Sequence, residues 1–234
     1  MKTHRAGLAL FALFFTAALM TAQTETPTPT NRQRTQRANA QREVDAARQT
    51  VDNFAADPSL TWFRDHARES KGLLICSMVV KVGFIFGGSG GRCVLITNAD
   101  PGFAGPAFYS MGTASAGFQA GVQRSEIILL AMTQRAVDSL MSRSFKLGAG
   151  ASVSAGPVGT GTGATTTDFV SFSRSRGIYG GVNVSGASIR PTSDFNNAFY
   201  GRSITPIEII VKRAATNPGA DALIASVAKL FGAK

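Results

Sequence analysis

The sequence predicts an α+β protein: a β-rich, barrel-like antiparallel sheet held between helical segments at the two ends of the chain. Three observations carry this. From residue 71 to about 211 the chain is a succession of short runs rich in Val, Ile, Phe and Thr, residue types that fit a pleated, half-buried surface. The 25 glycines follow no collagen-like period, so they belong to turns and strands. On either side of this region apolar residues recur at helical spacing instead.

The helical arm spans 40–69. Val44, Ala47, Val51, Phe54 and Ala55 line one face of a first helix, which Pro58 ends. A second, short helix is expected from about Leu60 to Glu69, with Leu60, Phe63 and Ala67 inward and Trp62 packed on the domain. Strands are then expected at Leu73–Cys76, Val79–Phe86 and Arg92–Thr97, the last two joined by a hairpin loop at Gly87–Gly91. Three more follow at Ala107–Thr113, Ser115–Val122 and Glu126–Met132. Thr133 caps a short helix that turns Ala136, Val137, Leu140 and Met141 to one side. Strands resume at Phe145–Ala155, Phe169–Arg174 and Ile178–Ile189, and Asp194–Tyr200 reads as a short helix. Thr205 to Glu208 form a capping box with proline at the first helical position, opening a helix to about Ala215. Asn217-Pro-Gly219 breaks it. A final amphipathic helix, Ala220–Phe231, carries Leu223, Ile224, Val227, Leu230 and Phe231 on one face. So many short strands point to a closed or nearly closed sheet, which hides strand edges.

Residues 1–22 read as a secretory signal. Lys2, His4 and Arg5 make a positive start, Ala6 to Met20 is apolar but too short to span a membrane, and small residues close it at Ala22. The expectation is an exported protein, periplasmic or extracellular, soluble or membrane-peripheral. Residues 23–39 are Thr, Pro, Gln, Asn and Arg without apolar period, and are read as a disordered linker. With Arg42, its Arg32, Arg34 and Arg37 make a basic cluster. Removing 1–22 takes away two bases, Lys2 and Arg5, and no acid, so the formal charge falls from +10 to +8. An exported basic protein meets anionic lipid, polysaccharide or nucleic acid, over a range screened beyond about 10 Å.

Cys76 and Cys93 are the only cysteines. In an oxidising compartment they form a disulfide or stay as two buried thiols. Without histidine partners they make no zinc site.

Catalysis finds few residues to work with. The only histidines are His4, in the signal, and His66, in the arm, so a nucleophile–histidine pair has no base. The acids from residue 71 onward are Asp100, Glu126, Asp138, Asp168, Asp194, Glu208 and Asp221, with no close pair of acid/base character. Gly87–Gly91 lacks the Lys-Ser/Thr ending of a phosphate loop, and Gly156–Gly163 leads into no helix. No enzyme, cofactor, metal or nucleic-acid role is expected.

The stretch from Phe172 to Gly186 stands apart. Arg174 and Arg176 are two residues apart in a strand, which puts both on one face. Like charges so placed repel unless an anion or a carboxylate sits between them. Asp100, Glu126 and Asp168 are the acids available to neutralise them.

Four motifs resemble those of the SYLF domain family, a lipid-binding and yeast actin-binding-type domain, over roughly Ser70 to Val211. They are Ser70–Ile75 with Val80–Gly83, Gly105–Tyr109 running into Gly117–Gln123, Lys146–Gly159, and Phe172–Val182 with Phe199–Gly201 downstream. The resemblance implies a β-rich domain over 70–211; the residues after it, 212–234, hold the C-terminal amphipathic helix read from periodicity. It also implies binding of anionic lipid, phosphoinositide in eukaryotic members, some of which bind actin. Members with a signal and no partner domain look bacterial. On this reading Lys71, Lys81, Arg174 and Arg176 meet a lipid head group. The alternative is a protein-interaction or structural module of the cell envelope.

Overall fold

The computed structural model describes residues 30–83, 86–116, 121–157, 167–175 and 178–232. Its centre is one sheet of nine strands: β1 Gly72–Gly83, β2 Phe86–Ala99, β3 Gly102–Ala116, β4 Gly121–Ala131, β5 Phe145–Lys146, β6 Val153–Ala155, β7 Phe169–Ser175, β8 Ile178–Gly181 and β9 Ser188–Pro191. Their order is β5-β9-β3-β2-β1-β4-β7-β6, with β8 on β7, and every pairing but β6 with β7 is antiparallel. The two ends of that order, β5 and β6, are separated by only a short turn, and a bridge joins Leu147 to Ala151 within it. The sheet therefore curls back toward itself as a half-barrel, the barrel-like form the glycine-punctuated strands predict.

Side chains alternate between two cores. Leu74, Cys76, Val79, Leu95, Tyr109, Ile127, Leu129 and Phe169 fill the concave side with α3 (Gln134–Leu140) and the turn at Ile207–Val211. Leu73, Ile75, Val94, Phe108, Ile128, Leu130 and Phe172 face the convex side. There they pack under α1 (Asn31–Ala56), α2 (Thr61–Ala67), α4 (Ser193–Tyr200) and α5 (Asp221–Leu230). Near one end the strands are buried on both faces, so Leu73–Cys76 and Ile127–Ala131 read as unbroken apolar runs. Toward the other end only one face is covered or none.

Several boundaries differ from the sequence expectation. The first helix begins at Asn31, so residues 31–39 are helix and not linker. Thr30 accepts from the Gln33 backbone while the Gln33 side chain accepts from Thr30, a reciprocal cap that makes the start legible only as Thr-x-x-Gln. The Arg, Gln and Ala that follow are good helix formers despite lacking an apolar stripe. Gly87–Gly91 is not a loop but the first part of β2, paired from Val79↔Gly91 to Gly83↔Gly87. A Cβ on Gly91 would stand 2.5 Å from the Met78 carbonyl oxygen, so close strand approach and not a turn requires that glycine. The three strands expected between Ala107 and Met132 are two, β3 and β4. The expected strand 145–155 is the pair β5 and β6 around a turn, and 178–189 divides into β8 and β9. The capping box at Thr205 is present, with Thr205 N and Oγ1 donating to Glu208 at 2.8 and 2.7 Å. Its helix is a π-helical turn, Ile207–Val211, that stops short of Ala215. Arg213 then adopts a left-handed backbone (φ 49°) and donates to the carbonyls of Ala99, Gly102 and Phe103. The segment expected as signal, 1–22, lies outside the described residues. Among the described residues no helix is long and apolar enough to cross a membrane.

Candidate functional site

Cys76 and Cys93 are joined by a disulfide across β1 and β2. The pairing register runs Ile75↔Val94 and then Met78↔Arg92, so Cys76 and Ser77 together oppose Cys93. That bulge is where β1 changes surroundings, from a strand buried on both sides to one that emerges into solvent.

The four expected head-group cations do not form one patch. Lys71 precedes β1 and Lys81 lies near its far end. Ten residues of strand separate them, about 30 Å. Both side chains are exposed. Arg174 is two residues beyond Phe172 and shares its convex face, whereas Lys81 is two residues beyond Val79 and shares the concave face. Arg174 pairs with Glu126, its register partner on β4. Thr50 of α1 donates to the other carboxylate oxygen of Glu126 at 3.4 Å. The like-charge problem posed by the sequence is thus met, for Arg174, by a carboxylate of the fold. Arg176 lies outside the described residues. Asp168, the other acid considered, belongs to a different network: Arg135, Thr133 and Ser152 all donate to it, and they hold its carboxyl below the usual carboxylate range.

The far ends of the strands assemble a surface that the order of residues along the chain does not display. On the convex face Val82 and Val122 are direct register partners, 53% and 61% exposed, with Met78 at 58% on the same face. Arg124 follows Val122 by two residues and is exposed beside them. Arg92, by contrast, is engaged: its Nε donates to Glu43 at 2.8 Å and its guanidinium lies 4.7 Å from the centre of the Phe195 ring. On the concave face a row of register partners crosses four strands, Thr113↔Ser89↔Lys81↔Gln123. Ser89 and Thr113 hydroxyls are 2.7 Å apart, and Gln123 donates to Ser175 Oγ at 2.7 Å. Among the described residues no carboxylate reaches Lys81. Alternation of Val80, Lys81 and Val82 is the signal in the sequence that marks this end as two-faced. Finding the row requires the register.

No group of His, Cys, Asp or Glu suited to a metal occurs among the described residues. The arrangement offers cations, hydroxyls and exposed apolar side chains at one end of the sheet.

These features define a class: a curled, half-barrel β-sheet domain with a helical layer on its convex side. The chain belongs to the Ysc84 family, the SYLF domain family of the sequence motifs, whose model is described as "Las17-binding protein actin regulator" and matches residues 112–230, just over half the chain. It is similar to Protein YSC84 of Saccharomyces cerevisiae, 32% identical over 67% of this chain and 35% of that protein. It is also similar to LAS seventeen-binding protein 3 of the same yeast, 31% identical over 68% of this chain and 36% of that protein. The human SH3 domain-containing YSC84-like protein 1 is 27% identical over 61% of this chain and 43% of its own length. The chain thus spans about a third of the yeast relatives it matches. No solved structure matches it. The family description and the name of LAS seventeen-binding protein 3 record binding and regulation.

Proposed function

We propose that this protein is a non-enzymatic module that attaches reversibly to an anionic lipid surface through the far ends of β1 and β4. The observation that carries the reading is the exposed Val82–Val122 pair, with Arg124 next to it on the same face, Met78 further along β1 on that face, and Lys81 at the same strand end on the other face. Isolated apolar side chains are ordinary on a surface, whereas an adjacent pair with a cation beside it suits a membrane interface. Each half-exposed valine contributes about 1 kcal/mol on burial and each cation about 1 kcal/mol near an anionic surface. Together these give weak, reversible attachment. The disulfide fits an exported protein in an oxidising compartment, periplasmic or extracellular.

Flotation with anionic and neutral vesicles tests the reading. Binding to anionic vesicles alone is expected, lost on Val82→Ser with Val122→Ser and weakened by Arg124→Glu. Equal binding to both vesicles, or none to either, overturns it.

A second reading is favoured by the name of one relative, LAS seventeen-binding protein 3, and by the description of the family, both of which record binding to a protein partner. Ile207 and Val211 are exposed together on the π-helical turn, at 43% and 63%, away from the strand ends. A protein partner in the envelope, or an actin-regulating one, would engage that turn. Pull-down with Ile207→Ser and Val211→Ser, which leaves the strand ends intact, separates the two readings.

A further inference from the structure

We propose that the first part of α1, Asn31 to Arg42, is a separate binding element, and that it takes a linear, carboxylate-bearing polysaccharide. It uses other residues than the strand ends and does not rest on the membrane reading.

The stretch carries charge of one sign only. Arg32, Arg34, Arg37 and Arg42 lie within it, and the first acid that follows, Glu43, is already engaged by Arg92. The one acid between Ala22 and Asn31 is Glu25, which lies outside the described residues. Among the described residues no carboxylate pairs with Arg32, Arg34 or Arg37, and all three are exposed. Arg34 and Arg37 are three residues apart, so two like charges sit side by side on the helix. The first turn holds no acid, although an acid there would stabilise the helix. Packing does not account for these residues. Ala40 is the first buried one, so about 13 Å of helix stands clear of the core. The helix end itself is not the site, because Thr30 and Gln33 cap it. The guanidinium groups are.

The side chains between the arginines select among anions. Asn31 to Arg42 contains no aromatic residue and no apolar one larger than alanine. Insertion into a bilayer needs an apolar face, and binding of single-stranded nucleic acid needs aromatic platforms. At about 100° per residue, Arg34, Arg37 and Arg42 lie roughly 200°, 140° and 280° round the axis from Arg32. A flat surface meets one side of such a helix, whereas a flexible chain passes round it and meets all four. Side-chain amides such as Gln36 hydrogen-bond hydroxyl groups, and guanidinium forks pair with carboxylates in bidentate fashion. A polymer of uronic acids presents both groups along its length.

The experiment is calorimetric titration of the full chain with polygalacturonate, with its neutral methyl ester and with a duplex DNA fragment. Binding of polygalacturonate and none of the ester is expected, weakening as salt rises. Arg32→Gln with Arg34→Gln and Arg37→Gln should weaken it about tenfold, the combined loss of three exposed ion pairs. Glutamine keeps helix propensity and the three arginines are exposed, so the triple variant should melt at the temperature of the wild type. Arg124→Gln, at the strand ends, should leave polygalacturonate binding unchanged. No binding of polygalacturonate, or binding untouched by the triple variant, overturns the inference. Binding of DNA without polygalacturonate overturns it in favour of a nucleic acid. Loss of flotation on anionic vesicles in the triple variant assigns the helix to a bilayer and also overturns it. Flotation of the wild type remains the separate test of the membrane reading.

Discussion

Arg174 of β7 and Glu126 of β4 are register partners on the convex face of the sheet, and they form an ion pair beneath helix α1. Their side chains are 30% and 19% exposed. The pair ties two strands to the helix through Thr50, which is fully buried. Its role is therefore structural. Glu126→Gln should destabilise the fold by roughly 1–2 kcal/mol, since it leaves a partly buried guanidinium without its counter-charge. Urea unfolding of both single variants and the double variant would show a coupling between the sites. Additive effects would mean that the pair does not stabilise.

Asp168 gives the fold a pH dependence on the acid side. Its side chain is 2% exposed, and the Arg135 guanidinium, the Thr133 hydroxyl and the Ser152 backbone and hydroxyl all favour its charged form. A carboxyl whose folded pKa is depressed contributes stability above its unfolded value, about 3.9, and loses it as pH falls toward the folded value. Asp168→Asn should cost on the order of 3 kcal/mol at neutral pH. The difference between wild type and variant should shrink below about pH 4. Thermal unfolding across pH 3 to 7 checks this, and a constant difference would count against it.

Gly156 lies against the tip of the Phe172 ring, where a Cβ would stand 2.1 Å from Cζ. Phe172 also packs against Phe63 and Trp62, with ring centres 5.3 and 5.8 Å away. Phe172 is fully buried among these rings, so Gly156→Ala should destabilise by about 1–3 kcal/mol. A methyl group added at Gly150 would meet nothing within 4 Å, so Gly150→Ala should be neutral or slightly stabilising. Melting temperatures of the two variants give the contrast directly.

The disulfide closes a segment with a sequence separation of 17 residues. A bridge over that length stabilises by about 3 kcal/mol, chiefly by restricting the unfolded chain. Cys76→Ala with Cys93→Ala should lower the unfolding free energy by that amount. Refolding yield under reducing and oxidising conditions should separate for the wild type and coincide for the double variant.

The helices are legible in the sequence wherever one face has to be buried. Val44, Ala47, Val51 and Phe54 are on the buried side of α1, and Leu223, Val227 and Phe231 are on that of α5, as their spacing requires. The start of α1 is not legible in this way, because residues 31–39 have no buried face to impose a period, leaving only propensity and a cap. The glycine run 87–91 misleads for the opposite reason. Glycine signals a turn locally, yet here it answers to the nearness of a neighbouring strand, which the local sequence does not contain.

The same division holds for the site. From sequence alone come the β-rich class, the flanking helices, the poverty in catalytic residues and the family motifs, because composition and short-range periodicity report directly on burial. Which cations act together does not follow from sequence, because that depends on pairing register. A strand residue's neighbours are those directly across the sheet, and one bulge at Cys76 and Ser77 resets them. The tertiary structure places Arg174 against Glu126 on one face and Lys81 among hydroxyls on the other. It thereby separates two charges that the sequence presents alike.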